Sequence, residues 1–320
     1  MKIIKPSVCL IKSPPEPQGA LAHVELCGRV CYKSEGKITA DSYKGFIERI
    51  IKRGHEAVLE HGDLIVRFDS SNDWIKVLEH DAAWSGFPLY LHHTFHSYNG
   101  TIVSGNFRAW RDALRLCIRS GLHISCALHD LLSKYDPVFA DLLPNVGVSG
   151  SETAVQVKPE NEYDLWSDYE VQAHMRKTLW FTCDRGVSHE LVRHRPASYC
   201  QESTRYCNYT KDDFGSEITV IKPCFFDEHT MPYETWRVAC EAAEKAYFSL
   251  MTEGDCTPQQ ARTVLPNSLK TEVAMTATVG EWLHFLRLRC SEAAHPQMRE
   301  VATRAKSVLF SDLPEMEAWL

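Results

Sequence analysis

Long apolar runs, paired cysteines and surplus positive charge are all scarce in this chain of 320 residues. No window approaches the roughly 20 consecutive apolar residues of a bilayer span, so no membrane association is expected. The opening Met1-Lys2-Ile3-Ile4-Lys5-Pro6 has no apolar stretch of the secretory kind. Twelve cysteines are present, but none in Cys-x-x-Cys spacing and without a framework of paired spacings. A disulfide scaffold and a structural zinc site are thereby disfavoured. The expectation is a reduced, cytoplasmic protein with small buried thiols. A formal charge of -7 argues against a general polyanion binder, so no nucleic acid polymer is expected as a partner. What is abundant is apolar residue content, at 44%, enough to bury a large core in one big domain or two modest ones.

Along the chain, helical and strand patterns interleave. Tyr43, Phe46, Ile47, Ile50 and Ile51 recur at helical spacing, with Asp41 as N-cap and Gly54 suited to the C′ position. Leu64, Val66 and Phe68 alternate as in a strand. Phe107, Trp110, Leu114 and Cys117 share one face of a helix beginning at Asn106. Residues 134–170 are acidic and contain Pro, Gly and Ser, and they read as a long surface excursion, not a second core. A strand over Lys177–Cys183 leads through Asp184 into a short helix that ends before Pro196. Trp236, Cys240, Ala243, Tyr247 and Leu250 mark an amphipathic helix stopped near Gly254. Thr257-Pro258-Gln259-Gln260 is a capping-box start to a helix carrying Arg262. A strand over Thr271–Thr278 and a helix over residues 281–290 complete the pattern. The fold class is α+β or α/β.

The richest chemistry lies in residues 193–206. Arg193, His194 and Arg195 stand side by side, hydroxyl and amide donors follow at Ser198, Gln201 and Ser203, and Arg205 adds another guanidinium. Guanidinium forks match phosphate oxygens in a bidentate way, so this stretch suits a phosphorylated, hydrogen-bonding ligand. In the helix before it, Val187 and Leu191 face the core, and Glu190 and His194 fall on the same stripe. Polar groups there need partners, because an unpaired buried one costs about 1–3 kcal/mol. The plain reading is that Glu190 and His194 satisfy each other. On the later helix Trp282, Phe285 and Leu286 define an apolar stripe, and Arg289 continues it, with His284 on the neighbouring face. A guanidinium cannot shed its charge, so Arg289 needs an accepting partner: an Asp or Glu, solvent reached by snorkelling, or a ligand. His55, Glu56, Glu60 and His61, together with His92, His93 and His96, invite a metal reading. The spacing lacks the His-Glu-x-x-His pattern of a zinc helix, and surface or turn histidines are the simpler account, so no metal is assigned.

Arg193-His194-Arg195, seven residues, then Ser203 resembles the defining motif of the flavin-dependent thymidylate synthases. Further blocks resemble the family in the same order: Arg29-Val30-Cys31-Tyr32-Lys33, Gly54-His55-Glu56 with Glu60-His61, Ala261-Arg262 with Val264-Leu265-Pro266, and His284-Phe285-Leu286 with Leu288-Arg289. The resemblance implies an α+β fold, with a mixed or antiparallel sheet packed with helices, in a single domain of residues 1–320 interrupted by an insertion at about 69–175. It implies synthesis of dTMP from dUMP, with FAD as cofactor, NADPH and methylenetetrahydrofolate as co-substrates, and a homotetramer whose active sites combine several chains. By the same likeness Glu190, Arg193, Gln201, Glu202, Ser203, Thr204, Arg205, Arg262 and Arg289 match positions around dUMP. His55, Arg193, His194, Arg195 and His284 match flavin contacts, and Arg289 matches the residue that activates the uracil ring. Departures from the family pattern are Ala57, where Ser or Thr usually contacts the flavin, and Thr278 and Gly280, where Asn and Arg often do. Those departures also frame a non-enzymatic alternative, a nucleotide-binding homologue that has lost flavin chemistry. A cysteine-dependent route through Cys200 is a mechanistic rival, in the wrong sequence context.

Overall fold

Two separate four-stranded antiparallel sheets organise the chain. The computed structural model describes residues 1–12, 16–68, 91–96, 100–150, 153–157, 166–210 and 216–320. In chain order the elements are β1 (Lys2–Ile4), β2 (Ser7–Ile11), α1 (Pro17–Val30), α2 (Ser42–Lys52), β3 (Asp63–Phe68), β4 (Leu91–His96), β5 (Gly100–Asn106), α3 (Phe107–Ser120), β6 (His123–Ile124), α4 (Cys126–Ser133), β7 (Gly147–Val148), β8 (Ala154–Gln156), α5 (Asp168–His174), β9 (Arg176–Asp184), α6 (Arg185–Leu191), β10 (Ser198–Gln201), β11 (Thr219–Ile221), α7 (Met231–Thr252), α8 (Pro258–Ala261), β12 (Lys270–Thr278), α9 (Val279–Arg289), α10 (Pro296–Asp312) and α11 (Met316–Trp319). One sheet has the order β10-β12-β9-β2, the other β4-β5-β3-β8, and two short parallel pairs join β1 to β11 and β6 to β7. The α+β expectation holds. Much of the stretch 69–99 lies outside the described residues, as do the side chains of His92, His93 and His96.

Each sheet has its own core. Leu64, Val66 and Phe68 of β3 pack with α1, α2, α3 and α4 around Phe107, Trp110 and Leu114. The second core joins Leu179 and Phe181 of β9 and Val273 and Met275 of β12 to Trp282, Phe285 and Leu286 of α9 and to Met298, Val301 and Leu309 of α10. Local signals start most of these helices. The Asn106 side chain caps α3 through the Ala109 N–H at 2.8 Å, and Ser167 with Glu170 forms a capping box on α5. Asp41 occupies the N-cap of α2, yet its side chain makes no capping bond. Gly54 has φ of +70°, a backbone region that favours glycine.

The surface reading of residues 134–170 is corrected. Tyr135, Val138, Phe139, Leu143 and Val146 are buried in the first core. Phe107 meets Tyr135 and Phe139 edge-on at 5.3 and 6.1 Å between centroids. These apolar residues recur every three or four positions, a signal hidden by the acidic and Pro-rich residues between them. A further helix follows the one expected at 281–290. This is α10, which buries Met298, Val301, Ala302, Ala305 and Leu309 at helical spacing.

Candidate functional site

β9 ends at Asp184, and its Oδ1 accepts the Val187 N–H at 2.8 Å, so the strand turns directly into α6. Val187 and Leu191 enter the second core. Glu190 and His194 do not pair with each other, as the plain sequence reading expects. Both turn to Arg289 at the end of α9. Its Nη1 donates to Glu190 Oε2 at 2.7 Å and its Nε to His194 Nε2 at 2.8 Å. Neither bond uses Nη2. The Arg289 side chain keeps 21% exposure, so the clamp sits at the edge of the core and not inside it.

His194 is buried, packs edge-on against Phe285 at 4.9 Å between centroids and lies 6.4 Å from the exposed His284 ring. Its backbone is held as well, because the Tyr199 hydroxyl donates to the carbonyls of His194 and Leu191 at 2.8 and 2.9 Å. Desolvation first, then the Arg289 guanidinium and His284, push the His194 pKa down to about 4. The ring is therefore neutral near pH 7, with Nε2 able to accept from Arg289.

A second group forms along β10 and the loop after it. Gln201 Nε2 donates to Ser188 Oγ of α6 at 2.9 Å and to Thr271 Oγ1 of β12 at 3.2 Å. That ties the loop to the helix carrying Glu190. Arg205 Nε donates to Gln259 Oε1 at 3.0 Å, which brings the loop to the helical stretch bearing Arg262. Ser203 Oγ accepts the Arg205 N–H at 3.3 Å, and Thr204 is buried. The Glu202 side chain turns inward at 2% exposure. Arg193, Arg195 and Arg262 are exposed, with Arg195 lying over the Tyr199 ring at 5.8 Å. His55 is exposed at the start of the 3-10 turn Glu56–His61.

Of the surface or turn reading of His61, the turn holds and the surface does not. His61 is 1% exposed and closes that turn onto β12. His61 Nδ1 lies 2.7 Å from Thr276 Oγ1, which lies 2.6 Å from Thr178 Oγ1, which lies 3.0 Å from His23 Nε2. Desolvation, then His23, hold the His61 pKa at about 3, and desolvation holds that of His23 at about 4. Glu60 also gains a place that motif spacing did not assign: it accepts from Ser198 Oγ at 3.2 Å, beside the Arg193–Pro196 segment, and from Arg108 at 2.7 Å. Cys200 is buried and faces Cys31; that hydrogen bond and burial raise its pKa well above the ordinary thiol value. Among the described residues no group of three or more His, Cys, Asp or Glu is arranged to hold a metal ion, and no helix is long and apolar enough to cross a membrane.

The family model described as thymidylate synthase complementing protein matches residues 167–315. The span contains Glu190, the Arg193–Arg205 stretch, Arg262 and Arg289, whereas His55 lies before it. Over 118 residues the chain is 36% identical to a flavin-dependent thymidylate synthase of Geobacter sulfurreducens, covering 37% of this chain and 49% of the relative. A flavin-dependent thymidylate synthase of Thermococcus onnurineus is 35% identical over 120 residues, covering 38% of this chain and 48% of its own length. The chain thus spans about half the length of the curated relatives it matches. A solved UMP/dUMP methylase, PolB from Streptomyces cacaoi bound with 5-Br dUMP, is 14% identical, covers 99% of this chain and 95% of its own, and has a TM-score of 0.40.

Proposed function

We propose that the protein is a flavin-dependent thymidylate synthase. It methylates dUMP to dTMP with methylenetetrahydrofolate as carbon donor, FAD as cofactor and NADPH as reductant. The observation that carries this reading is Arg289, fixed between the carboxylate of Glu190 and the neutral imidazole of His194, inside the family-matched span. Carbon C5 of uracil is a poor nucleophile, and charge developing on the ring needs a cation already in place. A guanidinium that cannot deprotonate, held by two hydrogen bonds at a core edge, meets that need without reorganising. Ser203, Arg205 and Arg262 supply donors for the dianionic phosphate, and Gln201 orients their loop against α6. A thiol nucleophile is not needed, and the buried, hard-to-ionise Cys200 is poorly suited to be one.

The residues present are compatible with FAD. Arg193, Arg195, His55 and His284 are exposed donors able to meet its phosphates and ring edges. When bound, FAD supplies the hydride chemistry, which the protein orients. The exposure of these groups in one chain agrees with a site completed by further copies, in a homotetramer.

One set of observations favours a second reading, a nucleotide-binding homologue that has lost flavin chemistry. The Thr278 hydroxyl is committed to capping α9, accepting from the Glu281 N–H at 3.3 Å. A Cβ on Gly280 would lie 3.2 Å from the Gln172 carbonyl of α5, so a larger side chain there is crowded out. Ala57 offers no hydroxyl. Calorimetry with dUMP and with FAD separately, joined to the absorbance spectrum before and after adding FAD, decides. The synthase binds both, turns yellow and forms dTMP from dUMP in the complete mixture. The second reading gives dUMP binding alone, and failure to bind dUMP removes both.

A further inference from the structure

Under the loop that carries Ser203 and Arg205 runs a chain of alternating charges. Lys33 Nζ lies 2.5 Å from Glu272 Oε2, Lys270 Nζ lies 3.0 Å from Glu272 Oε1 and 2.8 Å from Glu202 Oε2, and the Tyr209 hydroxyl donates to Glu202 Oε1 at 3.4 Å. Lys270 and Glu272 keep 14% of their side-chain surface and Glu202 only 2%. The backbone is pinned at the same place. The Glu202 N–H donates to the Glu272 carbonyl at 2.8 Å, and the Ser203 N–H donates to the Cys31 carbonyl at 3.2 Å, two residues before Lys33. Two carboxylates meet two ammoniums, so the cluster carries no net charge.

That balance bears on the ligand. Glu202 directly precedes Ser203, and an uncompensated carboxylate there repels any anion received by the loop. Burial makes the repulsion stronger, because little water screens it. We propose that Lys270 is a positioning residue for a phosphate monoester: it cancels the Glu202 carboxylate beneath the Ser203–Arg205 loop, without touching the ligand. The inference rests on the reading of dUMP as substrate. The electrostatics agree with it. Against desolvation, which alone would lower it, Glu202 and Glu272 hold the Lys270 pKa above the ordinary ammonium value. Lys270 therefore remains charged across the working pH range.

A cluster that merely supports the fold and one that tunes phosphate binding differ in sign. If it only supports the fold, Lys270→Met and Glu202→Gln both loosen the loop and both weaken dUMP. If Lys270 cancels a charge, Lys270→Met weakens dUMP about tenfold. Adding Glu202→Gln to Lys270→Met then recovers affinity, by about threefold or more over Lys270→Met alone, whatever Glu202→Gln does by itself. Lys270→Arg preserves affinity. Calorimetric titration of the holoenzyme with dUMP, alongside thermal melts, reads these outcomes. Wild type that does not bind dUMP refutes the substrate reading itself. Wild type that binds, with Lys270→Met within about twofold of it, overturns this inference alone. A double variant that binds dUMP no tighter than Lys270→Met overturns it too. Should Lys270→Met fail to fold, Lys270→Gln and its double variant with Glu202→Gln decide: a double variant about threefold or more tighter than Lys270→Gln sustains the inference, and one no tighter overturns it.

Discussion

Arg111 and Arg289 stand at the same kind of sequence position and are held in opposite ways. Each continues an apolar helical stripe, Arg111 beside Phe107 and Leu114, Arg289 beside Trp282, Phe285 and Leu286. Arg111 is fully buried at 0% exposure, and both its terminal nitrogens meet carboxylates or a carbonyl, while its buried Nε has no hydrogen-bond partner. It donates to both Asp141 oxygens at 2.6 and 2.8 Å, to Glu56 at 3.1 Å and to the Val138 carbonyl. Glu56 is in turn shared with Arg115 at 2.5 Å. Although desolvation opposes it, Arg115 and Arg111 hold the Glu56 carboxyl below the usual carboxylate range. Arg289 has one carboxylate, one neutral imidazole and remaining exposure. A cation whose two terminal nitrogens are both taken up by acceptors inside a core holds chain segments together, here α3 against the 138–141 segment. A cation fixed at the edge, with capacity left over, is placed to meet a ligand.

The largest effect that tests this contrast is on stability. Arg111→Met leaves Asp141, which is half-exposed, without its partner and Glu56 with Arg115 alone, and costs about 3 kcal/mol, the low end for breaking a buried pair, read as a lowered urea midpoint. A native-like midpoint would mean that Arg111 is not the brace described. Arg289→Ala moves the other quantity. Turnover falls about 100- to 1000-fold, as for removal of one fixed donor to developing charge, while stability changes by about 1 kcal/mol or less. Destabilisation matching that of Arg111→Met, with FAD content lost in step with rate, would erase the distinction.

pH sharpens the comparison next. His194, His61 and His23 have folded-state pKa values depressed to about 4, 3 and 4, against an ordinary value near 6.5. Between those values the unfolded chain binds more protons than the folded one, so stability rises with pH. The contribution is present in full above pH 6.5 and is lost as pH falls toward 4, about 3 kcal/mol at most for His194. Melting temperature recorded from pH 8 to 4 should follow that course. Arg289→Ala removes a cation from beside His194, so the decline in that variant should be shallower. Parallel profiles in the two proteins would deny the Arg289–His194 contact. The smallest effect is that of Cys200→Ser, which should leave turnover within about twofold of wild type, since a buried thiol of raised pKa is a poor nucleophile. Complete loss of turnover would move the chemistry onto that cysteine.

Most helices and the long strands β9 and β12 were legible from the residues, because caps, glycine stops and apolar periods act over a few positions. The Asn106 cap, the Thr257 capping box and the Phe107–Cys117 face all appear where the pattern puts them. The buried stretch from Tyr135 to Val146 was not, because polar composition masked its period. His61 was not, because nothing near it in sequence announces that β12 covers it.

The amino-acid sequence by itself determined the local elements, the run of phosphate-suited donors and the need of Arg289 for an accepting partner. Only the tertiary structure decided which groups answer that need. Glu190 and His194 lie 99 and 95 positions away from Arg289, and Lys270 meets Glu202 across 68. Such pairs are set by the β10-β12-β9 register and by how α6 and α9 pack on that sheet. Side-chain periodicity says that a charge faces inward, whereas its partner depends on which distant segment the fold lays against it.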